Sequence, residues 1–315
     1  MTPPPRSLGR PWRRDRLAFD PALDDGELAA ARNALAQGRW TGARTLLAET
    51  GDDWDRRGHR LIVLAEVSAS VSWARDWQLA EPDSADAAAL LACSTTLRAV
   101  RGKASYESAQ GQALAAARMA PADPSPWLAL LILARTLGAG DDCARAFDQV
   151  RARYRDHHQA HHLMAVFLAE RDNGGGDPLH EVYDFASWAA EQAPADSPLA
   201  VLPVVAHAER FRVLAASGTL SRNPSQSGHW STRKARQVMK AAFDWWLEWE
   251  GEDHPRQQID LNYLAHAKFH EGRLAEAAAL FHRIGPHATR APWSYTDRDP
   301  QQEFRAARSA ALGSP

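Results

Sequence analysis

The chain has 315 residues, of which 45% are hydrophobic and 24% charged, a balance that excludes an intrinsically disordered protein. Its formal net charge of −2 excludes a strong overall basic field, so nucleic acid is not the expected partner. No segment reaches the roughly 18 consecutive apolar residues that a transmembrane helix requires, so no membrane partner is expected. Cys93 and Cys143 have no CxxC spacing and are predicted to be reduced structural thiols.

The first residues, 1–20, are rich in proline and arginine and lack helical periodicity, which predicts a flexible tail. Arg13 and Arg14 are adjacent, but Asp15 follows where an apolar secretion signal would begin. We therefore expect a cytoplasmic protein. The basic tail could contact an acidic partner, which leaves open a regulatory protein with a basic N-terminal arm.

From Asp24 onward, Ala, Leu and Arg recur at helical spacing, and Gly, Pro or Asp clusters interrupt the pattern. Strand signals are almost absent, so the sequence predicts an all-α fold. The predicted helices begin near Asp25, Trp40, Trp54, Ser84, Ser105, Ser125, Asp141, His157, Pro178, Ser197, Ser231, Pro255, Leu274 and Pro300.

Two interior stretches have loop composition. The shorter one, 173–177, includes three consecutive glycines with no preceding strand and no following Lys-Ser or Lys-Thr, so it is interpreted as a turn and not as a phosphate-binding loop. The longer one, 218–230, is a candidate boundary between helical regions 21–217 and 231–315.

One segment carries a recognisable repeat pattern. Trp127 and Leu130 are separated as in Trp-x2-Leu, Gly138 falls at a turn, and Cys143 and Phe147 supply a small residue followed by an aromatic. This segment resembles a tetratricopeptide repeat. In physical terms, a small residue opposite an aromatic allows two helices to approach closely.

A second segment keeps the same register through Leu261, Leu264, Gly272, Ala277 and Phe281. The resemblance implies a right-handed α–α superhelix, a solenoid of about six or seven antiparallel helix pairs. It also implies a concave face that binds an extended peptide or a partner helix. The Ala, Arg and Asp bias further resembles helical-repeat proteins of high-GC actinobacteria, a likeness that implies no activity.

The concave face is where we predict partner binding. Members of the family that hold a terminal carboxylate use Asn with Lys or Arg, and only Asn262 matches that pattern here. The residues predicted to line the groove are Arg135, His158, His162, His207, Asn262, His266 and His270.

Clustered histidines raise an alternative. His157 with His161 and His158 with His162 have i,i+4 spacing, which places each pair on one helix face as transition metals require. No carboxylate or cysteine lies at a fixed ligand spacing, so His157 and His161 are weak metal candidates and no cofactor is predicted. The alternative function is a metal-binding or enzymatic helical protein.

Tryptophans gather at Trp245, Trp246 and Trp249, on more than one face of a predicted helix. Trp245 and Trp249 have core spacing, which leaves Trp246 as a candidate for a protein interface. No nucleophile motif such as GxSxG is present, so no catalytic residue is assigned. The sequence thus predicts a scaffold or interaction module that binds a peptide or protein, in an oligomeric state it does not specify.

Overall fold

The computed structural model describes residue 17 and residues 19–171, 180–248 and 254–313. Most of the predicted tail, the turn at 173–177, the helix start at Pro178 and Trp249 lie outside these residues. Within the described part of the chain there are α-helices and short 3₁₀ turns but no strands, which confirms the all-α prediction. The helices are α1 Gly26–Ala36, α2 Thr41–Thr50, α3 Trp54–Ala65, α4 Ser70–Ala80, α5 Ala85–Val100, α6 Tyr106–Met119, α7 Ser125–Leu137, α8 Gly140–Arg153, α9 His158–Glu170, α10 Glu181–Gln192, α11 Leu202–Ala216, α12 Arg233–Leu247, α13 Gln257–His270, α14 Leu274–Ile284 and α15 Pro300–Leu312.

Capping residues set many of the helix starts. The side chains of Asp25, Ser84 and Ser105 each accept a hydrogen bond from a backbone N–H in the first turn of the following helix. The predicted starts at these three residues are therefore confirmed. One helix was not predicted: α4, whose N-cap is Ala69.

The helices form two layers. Each odd-numbered helix from α1 to α13 contacts the next odd-numbered helix, and the even-numbered helices between them pack outside this inner layer. Consecutive helices pack as pairs, as the superhelix prediction required. The inner helices are more completely buried, and on α3 even Arg57 and Arg60 are buried.

Ion pairs hold the inner helices together. Arg57 on α3 donates to Asp123 at 2.9 Å and to Asp86 at 2.5 Å, and Arg60 donates to Asp25 at 2.8 Å. Charged groups this deeply buried must be paired, because the free-energy cost of removing an unpaired charge from water exceeds the stabilisation gained from its packing. The polar residues of α3 therefore join it to its neighbours on both sides.

The glycines at the repeat turns act in two ways. Gly38 and Gly272 both have φ of +84°, a conformation that side chains with a Cβ rarely adopt. Gly138 ends α7 at φ −93°, where a Cβ would lie 2.8 Å from the backbone of Ala134. The turn predicted at Gly138 agrees with the structure, and its physical reason differs from that at Gly38 and Gly272.

The inner layer curves so tightly that distant parts of the chain meet. Helix α3 contacts α9, and the side chain of Gln258 on α13 donates to Asp24 at 3.1 Å. Leu17 and Phe19 pack against the core of the C-terminal half. The same core takes residues from both sides of 218–230, where Trp230 is buried. The concave side is consequently a chamber enclosed by α3, α9 and α13.

No helix in the described parts of the chain combines the length and the apolar character needed to cross a membrane.

Candidate functional site

The central feature of the molecule is the chamber at the middle of the superhelix, with a volume of about 600 Å³. Ile62, Val63, Leu163 and Val166 supply apolar walls from α3 and α9. The chamber opens to solvent beside Pro21 and Arg290, which are both exposed. The remaining lining residues are Phe19, Asp20, Leu23, His59, Glu66, Gln159, His162, Arg256, Ile259, Tyr263, Ala288, Thr289 and Ala291.

Arg256 is the most unusual charged residue of the chamber wall. Its Nε is buried and has no hydrogen-bond partner within the described structure. Burial lowers the pKa of its guanidinium, while the nearby carboxylates of Asp260 and Asp55 oppose that shift. By contrast, the acidic Asp20 at the rim is already paired with Arg32, which holds the pKa of Asp20 below its ordinary value. Arg256 is thus a cationic residue of the chamber wall whose hydrogen-bonding capacity is not fully used.

Beside the chamber, three imidazoles surround one carboxylate. His158 Nε2 lies 2.8 Å from Asp260 Oδ2, and His254 Nε2 lies 3.0 Å from the same oxygen. The other oxygen, Oδ1, is 3.3 Å from His162 Nε2. Helix α9 supplies His158 and His162 one turn apart, α13 supplies Asp260 from its first turn, and His254 precedes α13. We refer to these four residues as the histidine–aspartate cluster.

The electrostatics of the cluster keep Asp260 ionised. Burial alone raises the pKa of this carboxyl, but His158, followed by His162 and His254, holds it well below its ordinary value. Burial lowers the pKa of His158 well below its ordinary value, against the opposing effect of Asp260. A neutral imidazole can still donate an N–H to the carboxylate, so a neutral His158 and an ionised Asp260 are compatible with each other.

A second buried carboxylate lies behind the cluster. Asp55 at the start of α3 accepts from the backbone N–H of His158 at 2.8 Å. Burial nevertheless raises the pKa of Asp55 to about 7, because few other donors compensate for the lost water. Asp55 thereby ties α3 to the first residue of α9.

The two weak metal candidates, His157 and His161, serve the packing of α9. Both are buried, and His161 Nδ1 lies 2.9 Å from the carbonyl oxygen of His157. The ring of His161 packs edge-on against Phe147 at 5.0 Å between centroids. Within the described residues, the group able to hold a metal comprises His158, His254 and Asp260, and neither candidate belongs to it.

The predicted groove residues are mostly inaccessible. His158, His162, His207, Asn262 and His266 are buried, whereas Arg135 and His270 are half-buried. The expected open surface is absent at these five residues. His158 and His162 contact Asp260 of α13, and His207 and His266 pack against the segment that contains His229 and Trp230. Asn262 is covered by the loop before α15. Binding of a partner by these residues stays a prediction.

The side-chain amide of Asn262 forms hydrogen bonds within the protein. Its Nδ2 donates to the carbonyl oxygens of Gln258 at 2.7 Å and His287 at 3.1 Å. Its Oδ1 accepts from Trp293 Nε1 at 2.8 Å and from Thr289 N at 3.3 Å. Every bonding group of this amide is engaged, so it has no capacity left for a peptide carboxylate.

The remaining predicted residues are spread over the molecule. His266 packs between Trp230 and Trp293, with ring centroids 5.4 and 5.1 Å away. Arg135 pairs with Glu170 at 2.9 Å, and His270 Nδ1 lies 3.0 Å from Ser225 Oγ. These residues do not form one site.

Trp246, the predicted interface residue, is half-buried and packs against Phe243 at 5.5 Å between ring centroids. With Trp245 it lines a narrow crevice that reaches His254 and Asp260. The adjoining Leu247 is 61% exposed, so the end of α12 does present apolar surface.

Three residues of the site were missed in the sequence: His254, Arg256 and Asp260. They lie close together in the segment HPRQQID, whose spacing matches no metal or anion motif. Their partners on α9 are about 100 positions away, and the hydrogen bond between His158 and Asp260 spans 102 residues. A local signal existed only in the unusual density of ionisable residues before α13.

Comparisons with known proteins give no family for this chain. No protein-family model matches the sequence. No curated protein matches it either.

Proposed function

We propose that the protein is an interaction module that receives a carboxylate-bearing end of a partner protein in its central chamber. The observation that carries the proposal is Arg256, a half-buried arginine in the wall of a chamber lined mainly by apolar surface, whose Nε has no hydrogen-bond partner in the described structure. Arginine binds carboxylates through paired N–H donors, and a site partly removed from water strengthens such bonds. The tetratricopeptide-like relationship and the cytoplasmic location are parts of this proposal.

The volume of the chamber favours a short peptide segment over a long one. A chamber of about 600 Å³ lies in the range typical of small-ligand pockets, roughly 300–1,000 Å³. It can hold a few residues of a peptide, whereas an extended peptide lying along the inner helices would require the open groove that the closed superhelix lacks. Apolar side chains next to the terminal carboxylate would contact Ile62 and Leu163.

The test is selection from a library of random peptides with free carboxyl termini, followed by fluorescence anisotropy. We expect selected peptides to end in apolar residues and to lose at least about tenfold in affinity when the terminus is amidated. Arg256→Gln should lose a similar factor, because the charged hydrogen bonds to the carboxylate disappear.

The matched control is Arg39→Gln, which removes an exposed arginine remote from the chamber lining. Thermal unfolding of each variant verifies that it is folded. Equal binding of free and amidated peptides, or equal binding by wild type and a folded Arg256→Gln variant, would refute the proposal.

A further inference from the structure

Four potential metal-ligating side chains lie close together beside the chamber. An inference from their arrangement does not depend on the proposed binding of a peptide. The nitrogens of His158 and His254 lie 2.8 and 3.0 Å from one oxygen of Asp260, and His162 Nε2 lies 3.3 Å from the other. The ring of His158 is 4.1 Å from that of His162 and 4.7 Å from that of His254. The four side chains therefore meet at one carboxylate, with His162 on the opposite oxygen from His158 and His254.

Two of these polar atoms have no hydrogen bond. His162 Nε2 and Asp260 Oδ1 are buried 3.3 Å apart, and neither makes a hydrogen bond of good geometry, with the other or with any other group of the described structure. Buried polar atoms in native proteins nearly always have a partner, so an unpaired nitrogen facing an unpaired oxygen needs an explanation. A cation between them would accept a lone pair from each.

The separations suit a transition ion. Zn²⁺ binds imidazole nitrogen and carboxylate oxygen at about 2.0–2.2 Å, which places tetrahedral ligand atoms about 3.3 Å apart. Each imidazole nitrogen is 2.8–3.3 Å from an oxygen of Asp260, close to this value, and the ligand atoms of His158, His254 and Asp260 all lie within 4.8 Å of one another. A ligand set of imidazoles with one carboxylate suits Zn²⁺ better than Ca²⁺ or Mg²⁺, which prefer oxygen.

Two features oppose metal binding. The backbone N–H of Arg256 donates to His254 Nδ1 at 3.3 Å, which favours the tautomer with a proton on Nε2. Metal ligation through Nε2 moves that proton to Nδ1 and sacrifices this long hydrogen bond. The charge of Arg256 also repels a cation, although Asp260 and the nearby Asp55 offset it.

We propose that His158, His162, His254 and Asp260 bind one divalent transition metal ion, with Zn²⁺ as the best match. The ion links α9 to α13 and to His254, which precedes α13. It therefore stabilises the closed form of the superhelix. Its binding stabilises the folded state by mass action, because the unfolded chain does not hold these ligands together.

The experiment uses the full chain without a histidine tag. Metal is removed with a chelator, and Zn²⁺ is returned in a calorimetric titration and in thermal unfolding. We expect one Zn²⁺ per chain and a higher unfolding temperature. Co²⁺ in place of Zn²⁺ should give the intense visible absorption of a tetrahedral site, a readout on wild-type protein that needs no variant.

Variants assign the ligands. His254→Ala and Asp260→Asn should each weaken Zn²⁺ binding by more than the roughly 10–100-fold that loss of an outer-shell partner costs. The control is His282→Ala, which removes an exposed histidine outside the cluster and should bind as wild type does. Absence of stoichiometric Zn²⁺ and Co²⁺ binding by wild type, or undiminished binding by the folded variants, would show that the cluster is a hydrogen-bonded group only.

Discussion

Asn262 is buried in α13 and secures the loop between α14 and α15. Replacing it by alanine leaves the indole N–H of Trp293 and the backbone N–H of Thr289 without their acceptor. Each buried polar group left unpaired costs about 1–3 kcal/mol. We expect Asn262→Ala to lower the free energy of unfolding by about 2–4 kcal/mol, measured by denaturant titration.

The control for this prediction is Asn33→Ala on the exposed face of α1, which should change stability by less than about 0.5 kcal/mol. An Asn262→Ala variant as stable as this control would contradict a structural role. The amide would then be available for the partner binding expected from the sequence.

At the residue scale, the sequence predicted neighbours on one helix but not contacts between helices. The i,i+4 spacing placed His158 beside His162, and their rings are indeed 4.1 Å apart. Asp260 and His254 were not predictable as their partners, because helical periodicity gives the direction of a side chain only relative to its own axis. Which element lies opposite depends on the curvature of the whole inner layer.

At the element scale, helix α4 shows how much the prediction of a helix start depends on a capping side chain. Its N-cap residue, Ala69, offers no side-chain acceptor, whereas α1, α5 and α6 begin after Asp or Ser. A prediction that relies on capping residues therefore passes over α4. Tertiary packing replaces the missing cap: Trp77 is fully buried and stacks on Trp40 at 5.5 Å between ring centroids.

This argument predicts that Trp77 carries much of the stability of α4. Trp77→Ala should lower the free energy of unfolding by about 3–5 kcal/mol, because a large buried ring leaves a cavity. Leu79→Ala on the same helix is the matched control, since Leu79 is 80% exposed. Denaturant unfolding followed by far-ultraviolet circular dichroism measures both. Equal losses for the two variants would mean that α4 is not held by its buried face.

At the scale of the whole molecule, the sequence predicted the repeated pairing of helices. It did not predict that distant helices of the inner layer would meet across the concave side. Small residues and aromatics at repeat positions indicated paired helices, and the packed layers confirm them. A small rotation between successive pairs accumulates along the chain, and its sum decides whether the concave side stays open. The contacts that close it, between Gln258 and Asp24 and between Phe19 and the C-terminal core, join residues with no common sequence pattern.

Histidines are buried across the molecule, and this makes stability depend on pH. Burial is the main cause that lowers the pKa of His59 and His207 to about 3 and that of His229 to about 4. An unfolded histidine titrates near about 6.5, so the unfolded state binds more protons once the pH falls below that value. Each such group therefore removes stability as the pH falls from about 6.5 toward its folded pKa, at about 1.4 kcal/mol per pH unit.

We accordingly expect the free energy of unfolding to fall between pH 7 and pH 5, because the buried histidines outnumber Asp55, whose raised pKa acts in the opposite direction over this range. Denaturant titration in the presence of a chelator measures it, so that metal loss contributes nothing. His207→Gln should reduce the slope by about one proton, because His207 is buried and neither ring nitrogen has a hydrogen-bond partner in the described structure. His282→Gln, at an exposed position, should leave the slope unchanged. A stability independent of pH in this range would mean that these histidines are open to water in solution.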